Sequence, residues 1–217
     1  MIVLMSAFLL LSAFSCGGGN KANSTSEQDE KTVVNVPQFD ADSAYLYVKN
    51  QVDFGPRVPN TKEHVACGNY LAGQLEAFGA QVTNQYADLI AYDGTLLKAR
   101  NIIGSYKPES KKRIALFAHW DTRPWADNDP DEKNHNTPIL GANDGASGVG
   151  ALLEIARLVN QQQPELGIDI ILLDAEDYGA PQFYTGQHKE EFWCLGSQYW
   201  ARNPHVQGYN ARFGILL

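Results

Sequence analysis

The sequence is short of positive charge. It has 17 lysines and arginines against 25 aspartates and glutamates, which gives a formal net charge of -8 at pH 7. Proteins that bind nucleic acid need clustered lysine and arginine to displace counterions from the phosphates. The composition therefore predicts no nucleic-acid partner and favours a small solute or a peptide. With 217 residues, 44% of them hydrophobic, the chain is long enough to bury a full core.

Cysteine is also scarce, with three residues in the chain. Cys16 follows an apolar run, residues 2–14, which is too short to span a bilayer and long enough for the core of a signal peptide. With Ala13 and Ser15 before it, Cys16 resembles the lipidated cysteine of a bacterial lipobox, and a plain secretory signal is the alternative. Residues 1–16 are therefore predicted to be a lipoprotein-type signal peptide, with a lipid on Cys16 as the anchor in the membrane.

The segment after the signal peptide, residues 17–38, is rich in glycine, asparagine, serine and charge. It is predicted to be a flexible tether because it contains too little apolar surface to fold. Such a tether suits a lipoprotein of the bacterial cell envelope that faces the periplasm, or a protein secreted into the periplasm. The other two cysteines, Cys67 and Cys194, can pair or remain buried free thiols, and the sequence leaves both alternatives open.

A globular pattern covers residues 39–217, which we predict to be part of a single domain. Apolar periodicity and turn residues predict the elements of this domain. Helices are predicted at 40–54, 62–78, 145–163 and 196–203, and strands at 81–87, 98–104, 114–118, 168–174 and 210–217. The alternation of strands and helices predicts an α/β fold with a mostly parallel or mixed central sheet and helices on both faces.

Three groups of acidic and imidazole side chains fall at one edge of this predicted sheet. His119 and Asp121 follow one buried strand, and Glu176 and Asp177 follow the next. Asp144 lies in a glycine-rich turn before a helix. Sites in open α/β sheets form beyond the carboxyl ends of the strands, so these side chains are expected to converge. Crowded carboxylates repel one another unless a cation compensates, and oxygen and imidazole ligands suit zinc. The sequence therefore predicts a metal site.

The stretch HWDTRPWADNDP, residues 119–130, is predicted to be divided between site and surface. Trp120, Arg123 and Trp125 are candidates for lining a substrate pocket, although aromatic residues near a strand end more often pack in the core. The acidic residues further along are expected to form a solvated loop near the mouth of the site: Asp127, Asp129 and Asp131. Four other histidines match no ligand motif and are expected in loops or on helix surfaces: His64, His135, His188 and His205.

The motifs AHWD, GANDGASGVGALLEIAR and LLDAEDYG, in this order, resemble those of the zinc-dependent aminopeptidase clan. They are most similar to those of its bacterial glutaminyl-peptide cyclotransferase (glutaminyl cyclase) branch. The segment FGPRVPNTKEH, residues 54–64, is similar to a segment near the start of that domain. The resemblance covers roughly residues 39–217. It implies an acyltransferase that cyclises the N-terminal glutamine of peptides or proteins to pyroglutamate, with release of ammonia.

The resemblance also implies a role for each site residue. Asp144 and Asp177 would be zinc ligands, although many relatives have glutamate at the second position. Glu176 would be the general acid and base. His119 would bind a second metal in the two-zinc peptidases, whereas the cyclotransferases hold one zinc and retain this histidine without using it as a ligand. Asp121 would not bind the metal itself but would orient the His119 side chain.

The family places an aspartate directly after the strand that ends here at Leu217, and a histidine ligand far downstream. Neither occurs in this chain, so we expect it to be an N-terminal part of the enzyme and inactive by itself. Three functions remain open: a one-zinc cyclotransferase, a two-zinc aminopeptidase in which Glu176 is the base for a water, and a non-catalytic envelope lipoprotein of the same fold. The forms HWDTRPWAD and EDYG favour the cyclotransferase.

Overall fold

The structure is a computed structural model, and it describes residues 35–217. This part of the chain contains a mixed five-stranded sheet. Its strands are β1 (Gln81–Ile90), β2 (Leu96–Tyr106), β3 (Arg113–His119), β4 (Gly167–Leu173) and β5 (Gly214–Leu216). Their order in the sheet is β1-β2-β4-β3-β5. β3 is parallel to β4 and to β5, whereas β2 is antiparallel to β1 and to β4. The predicted α/β fold is confirmed, with the sheet mixed.

The helices of the described residues are α1 (Ala41–Val52), α2 (Lys62–Ala77), α3 (Ala146–Gln161) and α4 (Leu195–Arg202), with short 3-10 turns at Glu132–Asn134 and Glu190–Phe192. α1 begins after Asp40, whose carboxylate accepts hydrogen bonds from two backbone amides of the first turn. The Thr61 hydroxyl caps α2 in the same way. Such caps satisfy amide groups that have no partner within the helix. All four predicted helices are present, and their ends differ from the predicted ones by at most two residues.

The helices cover both faces of the sheet. α2 and α3 lie on one face, where the fully buried Leu75 and Leu152 belong to the same apolar cluster as Ile102 of β2. α4 lies on the other face, where Trp200 packs edge-on against Phe117 of β3, with 5.4 Å between ring centroids. All seven residues of β4 are buried, as expected for a central strand with helices on both sides.

The register of β3 and β4 brings their carboxyl ends to one edge of the sheet. Arg113 pairs with Gly167 at one end of this ladder, and His119 pairs with Leu173 at the other. The turn before α3 reaches the same edge at Gly145, which has a φ of +89°. A Cβ at Gly145 would lie 2.7 Å from the Asp121 carbonyl oxygen. Only glycine therefore allows this turn to approach the end of β3 so closely.

The predictions for the signal peptide, Cys16 and most of the tether fall on residues 1–34, which lie outside the described residues. Within residues 35–217, no helix is both long enough and apolar enough to cross a membrane. Cys67 is buried and Cys194 is half-buried, and both are free thiols. Of the two alternatives for these cysteines, the structure has the unpaired one.

Candidate active site

The candidate active site lies where β3 and β4 end. His119, the last residue of β3, has Nε2 at 2.9 Å from Oδ1 of Asp144, which lies in the turn before α3. The His119 side chain is 11% exposed and the Asp144 side chain is 61% exposed. The pair therefore runs from the interior of the protein to its surface, and the structure brings these two predicted site residues into direct contact.

Asp121 holds the segment that follows β4. Its carboxylate is fully buried, and its two oxygens accept hydrogen bonds from the backbone amides of Glu176 and Asp177, each at 3.1 Å. Asp121 Oδ1 also lies 3.5 Å from Nδ1 of His119, an ion-pair distance that is longer than a good hydrogen bond. The prediction for Asp121 concerned His119 alone, and the structure adds this contact with both amides of the Glu176–Asp177 pair.

Asp177 is buried beside the other site carboxylates, and few positively charged or hydrogen-bonding groups compensate the negative charge of its carboxylate. Its Oδ1 lies 3.7 Å from Nη1 of Arg123. Its Oδ2 is buried and has no hydrogen-bond partner among the described residues. Burial, followed by the charges of Asp121 and Asp144, raises the pKa of Asp177 to about 7. A carboxylate in this state gains from a nearby cation.

Glu176 and His119 share this field of negative charge. Burial raises the pKa of Glu176; the nearby His119 opposes that shift, while the carboxylates of Asp121 and Asp144 add to it. Burial tends to lower the pKa of His119, but the carboxylates around it, Asp121 first, outweigh burial and raise that pKa to about 9. Glu176 is therefore a carboxyl group whose proton affinity is increased, as suits a group that takes up and releases a proton during a reaction.

The fit of this site to a metal can be judged from its donor atoms. Residues 35–217 contain no group of three or more His, Cys, Asp or Glu side chains placed to hold a metal ion. However, the buried, unpartnered Oδ2 of Asp177 is an atom that a cation would satisfy. Asp144 is exposed and offers a second carboxylate at the same edge of the sheet. Two carboxylates with an imidazole nearby fit zinc in donor type.

Arg123 is buried under the site. Its Nε and Nη2 donate to the two oxygens of Asp127 at 2.7 and 2.6 Å, and its guanidinium lies 4.9 Å from the ring centre of Trp193. The expectation that Asp127 is solvated is therefore wrong. Asp127 is 4% exposed, because the positive charge of Arg123, four residues earlier, compensates its burial.

The structure separates the two tryptophans that were candidates for a pocket. Trp120 is fully buried, donates its indole N–H to the Arg100 carbonyl oxygen and stacks on His64, so it packs in the core and does not line the site. This follows from strand alternation, which turns Trp120 away from the face shared by its neighbours. Trp125 lies beside Tyr178, with 5.2 Å between ring centroids, and remains a candidate.

An open cavity of about 330 Å³ is lined by Asp144 and Asp177 together with Arg123, Asp127, Asn128, Ala180, Gln182, His188 and Trp193.

Two buried residues of the site region were not predicted from the sequence. Arg57 is fully buried and donates to the carbonyl oxygens of Trp120, Leu140 and Gly141, which ties the end of β3 to the turn that carries Asp144. His64 was expected on a helix surface, and this is wrong. It is 3% exposed and contacts both carboxylate oxygens of Asp174, at 3.0 and 2.9 Å. The two residues are 110 positions apart, so no local pattern could indicate the pair.

Comparisons with known proteins find relatives of this chain that share its fold. The model of Peptidase family M28 matches residues 101–217. The chain is 94% identical to glutaminyl cyclase of Bacteroides thetaiotaomicron, solved with N-acetylhistamine bound, with a TM-score of 0.83 over 84% of this chain and 62% of that one. It is 63% identical to a Zn-dependent exopeptidase from Parabacteroides distasonis, with a TM-score of 0.83 over 84% of this chain and 62% of that one. It is 59% identical to Tannerella forsythia glutaminyl cyclase, with a TM-score of 0.80 over 83% of this chain and 62% of that one. The chain therefore spans slightly less than two thirds of the length of these proteins.

Proposed function

The chain belongs to peptidase family M28, and on that premise we propose that the protein is a zinc-dependent glutaminyl cyclase. It would convert the N-terminal glutamine of a peptide or protein to pyroglutamate and release ammonia. The similarity to two solved glutaminyl cyclases supports this proposal. The observation that carries it is the Glu176–Asp177 pair, held at both backbone amides by Asp121. This places a carboxyl group with raised pKa next to a carboxylate that has an unpartnered oxygen.

The proposed reaction forms a bond between the α-amine nitrogen and the γ-amide carbon of the substrate glutamine, and it breaks the bond from that carbon to the amide nitrogen. Glu176 takes a proton from the attacking amine and delivers it to the leaving nitrogen, so ammonia departs and Glu176 returns to its starting state. The amine and the amide belong to one residue. The site therefore has to orient them and does not have to bring two molecules together.

Asp144 and Asp177 would be the zinc ligands that this part of the chain supplies. Bound there, zinc would polarise the γ-carbonyl of the substrate and stabilise the negative charge that develops on its oxygen. Asp121 fixes the positions of Glu176 and Asp177 relative to each other, because its carboxylate accepts hydrogen bonds from both of their backbone amides. Glu176 can then act from a fixed position beside the ligand carboxylate.

Replacement of Glu176 by glutamine tests the proposed mechanism in the full-length protein. Glutamine has nearly the same shape but cannot carry the proton, so kcat for ammonia release from a glutamine-initiated peptide should fall by about 100- to 10,000-fold. Zinc content and unfolding temperature should remain those of the wild type. Glu165→Gln, at an exposed glutamate, is the matched control. Turnover close to wild type in Glu176→Gln would remove Glu176 from the mechanism.

A two-zinc aminopeptidase is the second candidate, supported by the similarity to a Zn-dependent exopeptidase. His119 distinguishes the two functions, because a two-zinc site would use it as a ligand. For a cyclase, His119→Ala should leave one zinc per chain, as in the wild type. Metal analysis that finds two zinc ions in the wild type and one in His119→Ala would favour the peptidase. No zinc and no turnover in the wild type would favour a non-catalytic protein of the same fold.

We also propose that Cys16 is lipidated and anchors the protein to the periplasmic side of the cell envelope. The proposal is supported by the sequence alone, through the apolar run of residues 2–14 and the small residues before Cys16. Labelled palmitate should be incorporated into the wild-type protein in a bacterial host and not into Cys16→Ala. Equal incorporation into both would overturn the proposal.

A further inference from the structure

The buried pair of Arg123 and Asp127 borders the candidate metal ligand Asp177. The side chains of the pair are 11% and 1% exposed. Asp127 occupies Nε and Nη2, the two-pronged face of the guanidinium, at 2.7 and 2.6 Å. Asp127 Oδ2 also accepts the backbone amide of Gln182 at 2.8 Å, so Asp127 is fixed from a second side. This face of Arg123 is therefore closed to any other carboxylate.

The remaining group of the guanidinium, Nη1, is the one that faces Asp177. Nη1 donates to the Asp177 carbonyl oxygen at 3.2 Å, and it lies 3.7 Å from the Asp177 carboxylate. Nη1 and Nη2 also lie near two further carbonyl oxygens of the same segment, those of Gly179 and Ala180, each at 3.4 Å. Arg123 thus holds the backbone around Asp177 without forming a two-pronged ion pair with its carboxylate.

We propose that Asp127 is a positioning residue that occupies Arg123 and so keeps the Asp177 carboxylate free to bind zinc. The inference rests on the proposed function only in taking Asp177 as a ligand. Arginine pairs with carboxylates preferentially through two parallel hydrogen bonds. Without a charged residue 127, Asp177 is the nearest buried carboxylate to the guanidinium. A small rotation of Arg123 would convert the single long contact of 3.7 Å into a two-pronged ion pair that competes with the metal.

This proposal has a counterintuitive consequence, because removal of a negative charge should weaken the binding of a cation. In the full-length protein, Asp127→Asn should lower zinc affinity by about 10- to 100-fold, the size usual for a residue that orients a metal ligand. The double variant Arg123→Gln with Asp127→Asn lacks the competing guanidinium. It should bind zinc more tightly than Asp127→Asn, with an affinity within about fivefold of that of the wild type, which is a smaller loss than the usual range.

Zinc affinity is measured by competition with a chromogenic chelator, so the result does not depend on turnover, and cyclase activity of the wild type is assayed separately. Asp88→Asn is the matched control, because Asp88 pairs with Lys98 at 2.8 Å on the surface, away from the site. Its affinity should equal that of the wild type. A purely structural role for the pair would change the unfolding temperature of the variants without the recovery of affinity in the double variant.

An affinity of Asp127→Asn equal to that of the wild type, or a double variant that binds zinc no better than Asp127→Asn, would overturn the proposal. If Asp127→Asn does not fold, the double variant carries the test, because both buried charges are then absent. It should bind zinc with nearly wild-type affinity. A loss of about tenfold or more would show that the hydrogen bonds from Arg123 to the backbone around Asp177 matter more for zinc binding than competition between Arg123 and the metal, and this too would overturn the proposal.

Discussion

Asp169 lies near the start of β4 and Asp177 lies in the segment that follows its end; both are buried, yet their surroundings differ. Asp169 accepts hydrogen bonds from Arg113, from the Ser105 hydroxyl and from the Tyr209 hydroxyl, the last two at 2.7 Å. Asp177 has one arginine nitrogen at 3.7 Å and one oxygen with no partner among the described residues. Burial alone therefore does not separate a structural aspartate from a candidate metal ligand. The number of filled acceptor sites does.

The pKa values of the two aspartates move in opposite directions. Burial tends to raise the pKa of Asp169, but the hydrogen bonds from Arg113, Ser105 and Tyr209 outweigh it and lower that pKa below its usual value. Burial, together with the charges of the neighbouring carboxylates, raises the pKa of Asp177 to about 7. The negative charge of Asp169 therefore stabilises the fold, whereas that of Asp177 lowers its stability in the absence of a nearby cation.

Cavity size does not reproduce this distinction. The cavity beside Asp169, also lined by Arg113, His205 and Tyr209, has a volume of about 480 Å³, and the one beside Asp177 has about 330 Å³. The larger cavity borders charged groups that already satisfy one another. The smaller one borders three acidic residues, of which Asp144 and Asp177 lie at the carboxyl edge of the sheet, where sites in such folds form.

The largest change in stability is expected from a substitution of Asp169, the aspartate whose carboxylate is fully hydrogen-bonded. Asp169→Asn would leave the Arg113 guanidinium, 7% exposed, without its counter-charge. Breaking a buried ion pair on one side typically costs about 3–5 kcal/mol of unfolding free energy. Urea denaturation of the full-length protein measures this loss. Asp88→Asn is the control, since its exposed pair with Lys98 should contribute less than about 1 kcal/mol. Equal, small losses in both variants would contradict the structural role of Asp169.

A smaller change in the free energy of unfolding, of opposite sign, is expected from a substitution of Asp177 in the candidate active site. The pKa of Asp177 is raised, so the cost of its charge is absent below about pH 4 and grows as the pH rises to about 7. Without metal at pH 8, Asp177→Asn should therefore be more stable than the wild type, by roughly 1–3 kcal/mol. With zinc present, the order should reverse, because the variant loses a ligand. Thermal unfolding with and without zinc checks both signs. A variant that is less stable than the wild type without metal would refute this account of Asp177.

The sequence predicts this contrast only in part. The buried strands and the turn residues placed His119, Asp144, Glu176 and Asp177 at one edge, because strand ends and glycine-rich turns leave local patterns. Asp127 was predicted wrongly, since a run of acidic residues usually indicates a solvated surface. The opposite charge four residues earlier, at Arg123, was the local signal that could have corrected the prediction. The pairing of Asp169 with Ser105 and Arg113 spans 64 and 56 positions, so it depends on strand order, which no local pattern encodes.

The smallest expected effect is the loss of stability at acid pH that results from protonation of Asp169. The pKa of Asp169 lies below its unfolded value, which is near 3.8, so its stabilising contribution is complete above that pH and is lost as the pH falls through the folded value. One proton coupled to folding changes the unfolding free energy by at most about 1.4 kcal/mol per pH unit. Between pH 4 and pH 3, the wild type should therefore lose roughly 1 kcal/mol more than Asp169→Asn, which has no carboxylate to protonate. Chemical denaturation of both proteins at the two pH values measures the difference. Parallel losses would mean that Arg113 and the two hydroxyls do not hold the Asp169 carboxylate in its charged form.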